Sequence, residues 1–179
     1  MMRYLEKMRG HTQSPPGVGR AEMVWSGIGA FLGMSAVGLL HFQLLDRLGH
    51  LLIIGSFGAS AVLIYGAVRS PLAQPRNLIG GHVLSALVGV TAFRLLGAHP
   101  WLAAAAAVAL AIVLMHWTRT LHPPGGATAL IAVIGGESVH RLGYLYVLVP
   151  AALGAVVMLV IAVLVNNIPR SRRYPEFWV

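Results

Sequence analysis

The sequence predicts an all-α integral membrane protein, with six membrane elements forming two inverted three-element repeats and short or broken helices at the second element of each. Three observations carry this: scarce charge, apolar runs of bilayer length, and a Gly-Ala-[Ser/Thr]-Ala segment that occurs twice. Of 179 residues, 57% are hydrophobic and 10% charged, with a mean hydropathy of +0.75. A soluble domain carries about 25% charged residues, so most of this surface is left to face lipid.

Residues 1–22 read as a cytoplasmic N-terminal segment, 23–168 as the membrane domain and 169–179 as a basic cytoplasmic tail. The first apolar run starts behind basic residues, as a secretory signal does. It is longer than a signal core and lacks a small-residue cleavage site, so it reads as a retained helix. A crossing helix needs about 20 apolar residues. The runs 24–45, 48–68, 78–97 and 101–118 meet that closely, and 143–165 adds a fifth. The apolar segment 125–135 is only about two thirds of a crossing.

Charge placement decides whether that segment counts. With six elements and both termini cytoplasmic, the inside holds Arg3, Lys7, Arg9, Arg20, Arg69, Arg76, Arg119, Arg170, Arg172 and Arg173. The outside holds Arg47, Arg94 and Arg141, so ten and three account for all 13 basic residues. That is the positive-inside pattern, and five crossings would violate it. The net charge of +8 therefore reads as anchoring against anionic headgroups, with no nucleic-acid partner expected. The absence of cysteine excludes disulfides, thiol catalysis and thiolate metal sites.

Gly58-Ala59-Ser60-Ala61-Val62-Leu63-Ile64 matches Gly126-Ala127-Thr128-Ala129-Leu130-Ile131-Ala132 at an offset of 68, and Ala86-Leu87-Val88-Gly89 resembles Ala151-Ala152-Leu153-Gly154 at 65. Three elements per half place the halves in opposite orientations, as in the inverted repeats of secondary transporters. Each matching segment opens on a break: Gly55-Ser56-Phe57-Gly58 in the first half, His122-Pro123-Pro124-Gly125-Gly126 in the second. Helix starts at such breaks expose backbone N–H groups and the positive end of the dipole, which suits anions. Small residues at four-residue spacing, Gly29 and Gly33 and then Gly81, Ser85 and Gly89, read as helix-packing faces.

Ionisable groups in spans are functional candidates. His82 follows Gly80-Gly81, His122 opens the second break, and His116, Arg119 and Thr120 share one helix face leading into it. His41 reads as hydrogen-bonded within the bundle or reaching the interface, and Arg94 as snorkelling. Arg76 and Asn77 follow a turn-rich loop on the proposed cytoplasmic side and form a candidate basic vestibule with Arg119. Neither a metalloprotease motif nor a nucleotide-type phosphate loop occurs, and no enzymatic activity, metal or cofactor is expected.

Several motifs now stand in order: Gly55-Ser56-Phe57-Gly58-Ala59-Ser60-Ala61, Ser70-Pro71-Leu72-Ala73-Gln74-Pro75-Arg76-Asn77, Gly80-Gly81-His82 and Thr120-Leu121-His122-Pro123-Pro124-Gly125-Gly126-Ala127-Thr128-Ala129-Leu130. Together with Asn166-Asn167, Arg172-Arg173-Tyr174-Pro175 and Trp178, they resemble the HPP family of integral membrane proteins from about residue 24 to 178. The resemblance implies four spans, fewer than the six elements read above. It also implies transport, with nitrite the substrate attached to plant chloroplast members and cyanobacterial relatives. Some members carry a nucleotide-sensing CBS module after the membrane part; this sequence ends before one.

The expected function is therefore a transporter or channel for a small inorganic anion, nitrite foremost, in a bacterial inner membrane, with a homo-oligomer as the expected assembly. Backbone N–H groups around Gly58, Pro123, Pro124, Gly125 and Gly126 would hold the anion. Ser56, Ser60 and Thr128 would add hydroxyls, and His82, His116 or His122 would donate or shuttle a proton. A non-transporting scaffold would instead have its breaks packed shut. An intramembrane hydrolase would have a Ser–His pair within hydrogen-bond reach.

Overall fold

The structure is a computed structural model that describes residues 2–8, 12–46 and 51–179; the expected placements of Arg9, Arg47 and residues 48–50 lie outside them. The described residues form helices α1 (Met2–Glu6), α2 (Arg20–Leu40), α3 (Gly55–Gly66), α4 (Pro75–Leu96), α5 (Pro100–Trp117), α6 (Pro123–Ile134), α7 (Glu137–His140) and α8 (Leu153–Asn166). Wide π-type turns extend α2 through His41–Leu45 and lead into α8 through Val147–Ala152. Proline opens α4, α5 and α6, where its preset φ suits a helix start and its missing N–H costs nothing.

Among the described residues four helical stretches are long and apolar enough to cross a membrane: Arg20–Leu45, Pro75–Leu96, Pro100–Trp117 and Val147–Asn166. Between them lie two shorter apolar helices, α3 and α6, of 12 residues each. Each is about 18 Å long, well short of a hydrocarbon core of about 30 Å. The second run, expected as a full span over 48–68, is corrected: among the described residues its helix is Gly55–Gly66. Residues 51–54 take no helical form, because the Leu52 N–H is given to His41 Nδ1 at 3.4 Å and Ile54 is extended. The last run is interrupted too. Pro150 lacks a donor and forces Val149 out of the helical region (φ −131, ψ 113), as proline does to the residue before it.

Small residues set how closely these helices approach. A Cβ on Gly89 would stand 2.5 Å from the Ala129 carbonyl oxygen, and one on Gly81 would stand 2.5 Å from His122 Cβ, so α4 and α6 touch backbone to backbone. Gly29 and Gly33 leave room for the Tyr65 ring, which joins α2 to α3. The small-residue faces thus serve packing within the chain, where dispersion and close approach replace a hydrophobic driving force.

One end of the bundle gathers most of the fixed charge. Arg172, its side chain 4% exposed, donates from Nε to Glu22 Oε2 at 2.8 Å. It also donates to Glu22 O, Ser26 Oγ, Tyr65 O and Asn166 Oδ1. Arg69 donates to Ser171 O, and Tyr174 donates to Ala73 O at 2.8 Å. The segment after α8 is therefore strapped across the ends of α2 and α3 and the 3₁₀ turn Pro71–Ala73. At the other end the Arg94 guanidinium lies 4.8 Å over the Tyr144 ring, a cation–π contact.

Candidate functional site: a buried hydroxyl–imidazole cluster

The two short helices pass each other in opposite senses along their N-terminal halves. Ser56, in the first turn of α3, meets Thr128 in the second turn of α6; Ser60, in the second turn of α3, meets His122, which immediately precedes α6. Residues four apart share a helix face, so Ser56 and Ser60 present their hydroxyls to the same side. His82 enters from α4, seven residues along from Pro75, about 10 Å of helix rise.

These five side chains are fully buried and form one connected cluster. His82 Nε2 lies 2.7 Å from Ser60 Oγ, and His122 Nε2 lies 2.9 Å from the same oxygen. On its other side His82 Nδ1 lies 2.7 Å from Thr128 Oγ1, which donates to Ser56 Oγ at 2.8 Å and faces Pro124 O at 3.3 Å. His122 Nδ1 lies 2.9 Å from Leu72 O; a carbonyl only accepts, so that nitrogen carries the hydrogen. The imidazole rings are 5.1 Å apart, and Phe57 stands edge-on to His82, also at 5.1 Å. Buried polar groups this well satisfied are costly to disrupt and define one arrangement.

Of the residues expected at the site, Ser56, Ser60, His82, His122 and Thr128 come together, and Pro124 contributes its carbonyl. Gly125 is buried against Gly81 O and Ser85 Oγ and spaces α6 from α4. Gly58 is exposed and faces open space on the opposite side of α3. His116, Pro123 and Gly126 line an apolar groove of about 570 Å³ between α5 and α6, together with Val108, Ile112 and Leu130. None of the five clustered side chains lines that groove, and His116 is exposed. Arg119 is exposed at a left-handed turn, φ 56, that ends the α5 face before His122. Arg76 and Asn77 are ties: Arg76 donates to Thr118 O at 2.8 Å and Asn77 to Leu121 O at 2.9 Å, fixing the start of α4 to the α5–α6 connection.

The α6 start offers fewer donors than its position suggests. Pro123 and Pro124 have no N–H, and Gly125 gives its own to His122 O at 2.7 Å. Polar recognition here falls to side chains. Two contributors were not read from the sequence. Leu72 supplies a main-chain carbonyl, which leaves no residue-type signal. Tyr146 donates from its hydroxyl to Thr128 O at 3.1 Å; its signal was a buried-span phenol needing a partner.

Comparison with known proteins agrees on the class of molecule. The family model described as "HPP, transmembrane region" matches residues 15–175. A transmembrane protein of Dictyostelium discoideum is 46% identical over 180 residues, covering 99% of this chain and 58% of its own length. A second transmembrane protein of that organism is 44% identical over 183 residues, covering 99% of this chain and 64% of its own. The chain thus spans about three fifths of the length of these curated relatives. No solved structure matches it.

Proposed function

This chain belongs to the HPP family of transmembrane proteins, and we propose that it carries a small inorganic anion, nitrite foremost, across the membrane. The observation that supports this best is the cluster of Ser56, Ser60, His82, His122 and Thr128, assembled where two half-length helices cross in opposite senses. Interrupted helices from opposed repeats bracket the substrate in many secondary transporters, and intramembrane ionisable groups mark transport routes. The six-element, two-repeat reading fits the alternation of four long helices with two short ones.

Orientation follows from charge. Glu22, Arg69, Arg76, Arg172 and the α5–α6 connection share one end of the bundle. The positive-inside rule makes that end cytoplasmic, with both termini there, in the inner membrane of a bacterium. Because the clustered groups are fully buried, the anion reaches them only when the α3–α6 crossing opens. That favours a carrier over an open pore. Uptake of nitrite into proteoliposomes, above protein-free vesicles and reduced in His122→Ala, is the expected result. No uptake by the unmutated protein removes the nitrite claim.

A second reading rests on one specific observation: Ser60 Oγ is within hydrogen-bond reach of two imidazoles, as a hydrolase nucleophile would be. Against it, Ser60 sits inside a helix, and His122 is oriented by a carbonyl rather than a carboxylate. Labelling by a fluorophosphonate probe, lost in Ser60→Ala, would establish that reading. The closed packing also suits a scaffold without transport, which the flux measurement separates.

A further inference from the structure

We propose that the end of the bundle carrying the C-terminal strap holds an anionic phospholipid, its phosphate against Arg69, Arg170 and Arg173 and one acyl chain along the outer face of α3. The inference needs only the membrane reading and goes beyond the transport reading. Two adjoining pockets form the headgroup half. The residues lining one, of about 380 Å³, include Glu22, Gly66, Ala67, Arg69, Ser171 and Arg172. The other, of about 630 Å³, is lined by Arg69, Arg170, Ser171, Arg172, Arg173 and Glu176. Arg69, Ser171 and Arg172 belong to both, so the two pockets meet across the strap.

Charge counting selects an anion. Among the described residues the ion pairs are Arg141–Glu137 and Arg172–Glu22, so the charge of Arg172 is already met. Arg69, Arg170 and Arg173 are exposed and stand in neither pair. Arg69 gives one N–H to Ser171 O at 3.0 Å, and a guanidinium has about five to give. Glu176 sets one carboxylate against these three guanidiniums, so positive charge stays in excess. The strap holds the arginines in place. Arg172 N donates to Pro169 O at 3.1 Å, closing a turn around Arg170 and Ser171, and Glu176 N donates to Gln74 Oε1 at 2.8 Å. Guanidinium groups match phosphate oxygens in geometry as well as in charge.

What lies beside these pockets selects a lipid over a free phosphate. Ala67 also lines an apolar groove of about 380 Å³, formed by Ala59, Val62 and Leu63 of α3 with Pro123, Pro124 and Ala127 at the start of α6. Ala59, Val62, Leu63 and Gly66 follow one another at helix-face spacing. Seven residues carry that face about 10 Å from the arginines towards the middle of the bundle. Val62 is 74% exposed, and nothing lies within 4 Å of a Cβ on Gly66. The face is turned away from Ser56 and Ser60, which are buried in the cluster. Phe177 and Trp178 follow the strap and are exposed, and such rings favour headgroup level. A charged pocket at the end of an apolar groove has the division of a phospholipid, phosphate among the headgroups and chain in the hydrocarbon. Basic pockets between spanning helices on the cytoplasmic side take anionic headgroups, and the charge-placement reading puts this end there.

Native mass spectrometry of the detergent-solubilised protein, titrated with dioleoyl-phosphatidylglycerol or dioleoyl-phosphatidylcholine, tests this. Phosphatidylglycerol should bind more tightly than phosphatidylcholine. Arg170→Gln and Arg173→Gln, both at exposed positions, should each weaken phosphatidylglycerol about fivefold and leave phosphatidylcholine unchanged. Arg119→Gln, at the same end but lining neither pocket, should keep the preference intact. Ala59→Phe, which fills the groove from an exposed position, should weaken both lipids. Equal binding of the two lipids, or an equal loss in Arg119→Gln, would overturn the pocket in favour of diffuse surface charge. Displacement of phosphatidylglycerol by excess inorganic phosphate, or undiminished binding by Ala59→Phe, would mark a free-anion site and overturn the lipid. None of these readouts involves nitrite, so failure of this proposal and failure of the transport reading are told apart.

Discussion

A methyl group added at Gly89 should damage the cluster from a distance, and the same change at Gly58 should do the reverse. The Gly89 Cβ would stand 2.5 Å from Ala129 O and 2.8 Å from both Ala129 Cα and Ala132 Cβ. Ordinary contact begins at 3.4 Å, so α6 must retreat by about 3.4 − 2.5 = 0.9 Å, since backbone atoms cannot swing aside. Thr128 adjoins Ala129, and its 2.7 Å contact with His82 lengthened by that amount leaves hydrogen-bond range. Overpacking costs about 1–3 kcal/mol and the lost bond about 1 kcal/mol, offset by about 1 kcal/mol of helix propensity. The net is a loss of about 1–3 kcal/mol. At Gly58 nothing lies within 4 Å, so Gly58→Ala should gain about 0.4–1 kcal/mol. Unfolding in mixed micelles with increasing denaturing detergent measures both, and nitrite uptake should fall only for Gly89→Ala. If Gly89→Ala were as stable as the unmutated protein, the argument that this glycine sets the α4–α6 spacing would be wrong.

Replacing Arg172 with Met leaves Asn166 Oδ1 and Tyr65 O without their donor inside the fold. Removing one partner of a fully buried pair costs about 3–5 kcal/mol, but the Glu22 side chain is 35% exposed and water recovers part of that. We expect about 2–3 kcal/mol by the same micelle unfolding, and proteolysis of the released C-terminal strap. Burial pushes the Tyr174 phenol above its ordinary value. The unfolded chain therefore loses that proton first as pH rises past about 10, so the contribution is intact below that value and declines above it. Tyr174→Phe should flatten the alkaline end of the stability profile, and an unchanged profile would count against the strap.

Much of the cluster was legible because polar residues in apolar, small-residue segments have few other uses. Ser60 and Thr128 occupy matching places in the two Gly-Ala-[Ser/Thr]-Ala segments, and His122 stands before two prolines that cannot extend a preceding helix. The glycines of the same motif stand outside the cluster for a reason helix geometry supplies. Gly58 and Gly126 are two residues from Ser60 and Thr128, and residues two apart do not share a face. A motif read as one unit therefore points in two directions. His116 and Arg119 were joined to His122 on the assumption of a continuing helix face, but the helix ends at Trp117 and the chain turns at Arg119. Arg172 and Tyr146 act on elements distant in sequence, where no local spacing carries the information.

The two half-helices also differ where the repeat suggests equivalence, and the difference decides which groups line their contact. The α3 start retains the N–H groups of Gly55 and Ser56, whereas the α6 start replaces its first two donors with proline and commits the third to His122 O. The dipole of α6 remains, since it belongs to all its peptide units, yet it has little to donate with. Nor do the helices point end to end. Each start lies beside the other's second turn, so their fields overlap along a side-by-side contact rather than converging on one cavity. What fills that contact is hydroxyl and imidazole. These groups can donate or accept as a proton comes and goes, which a row of main-chain amides cannot do. The contact between the two half-helices is thus lined by groups whose hydrogen-bond directions can reverse, where a purely backbone cradle would offer fixed donors.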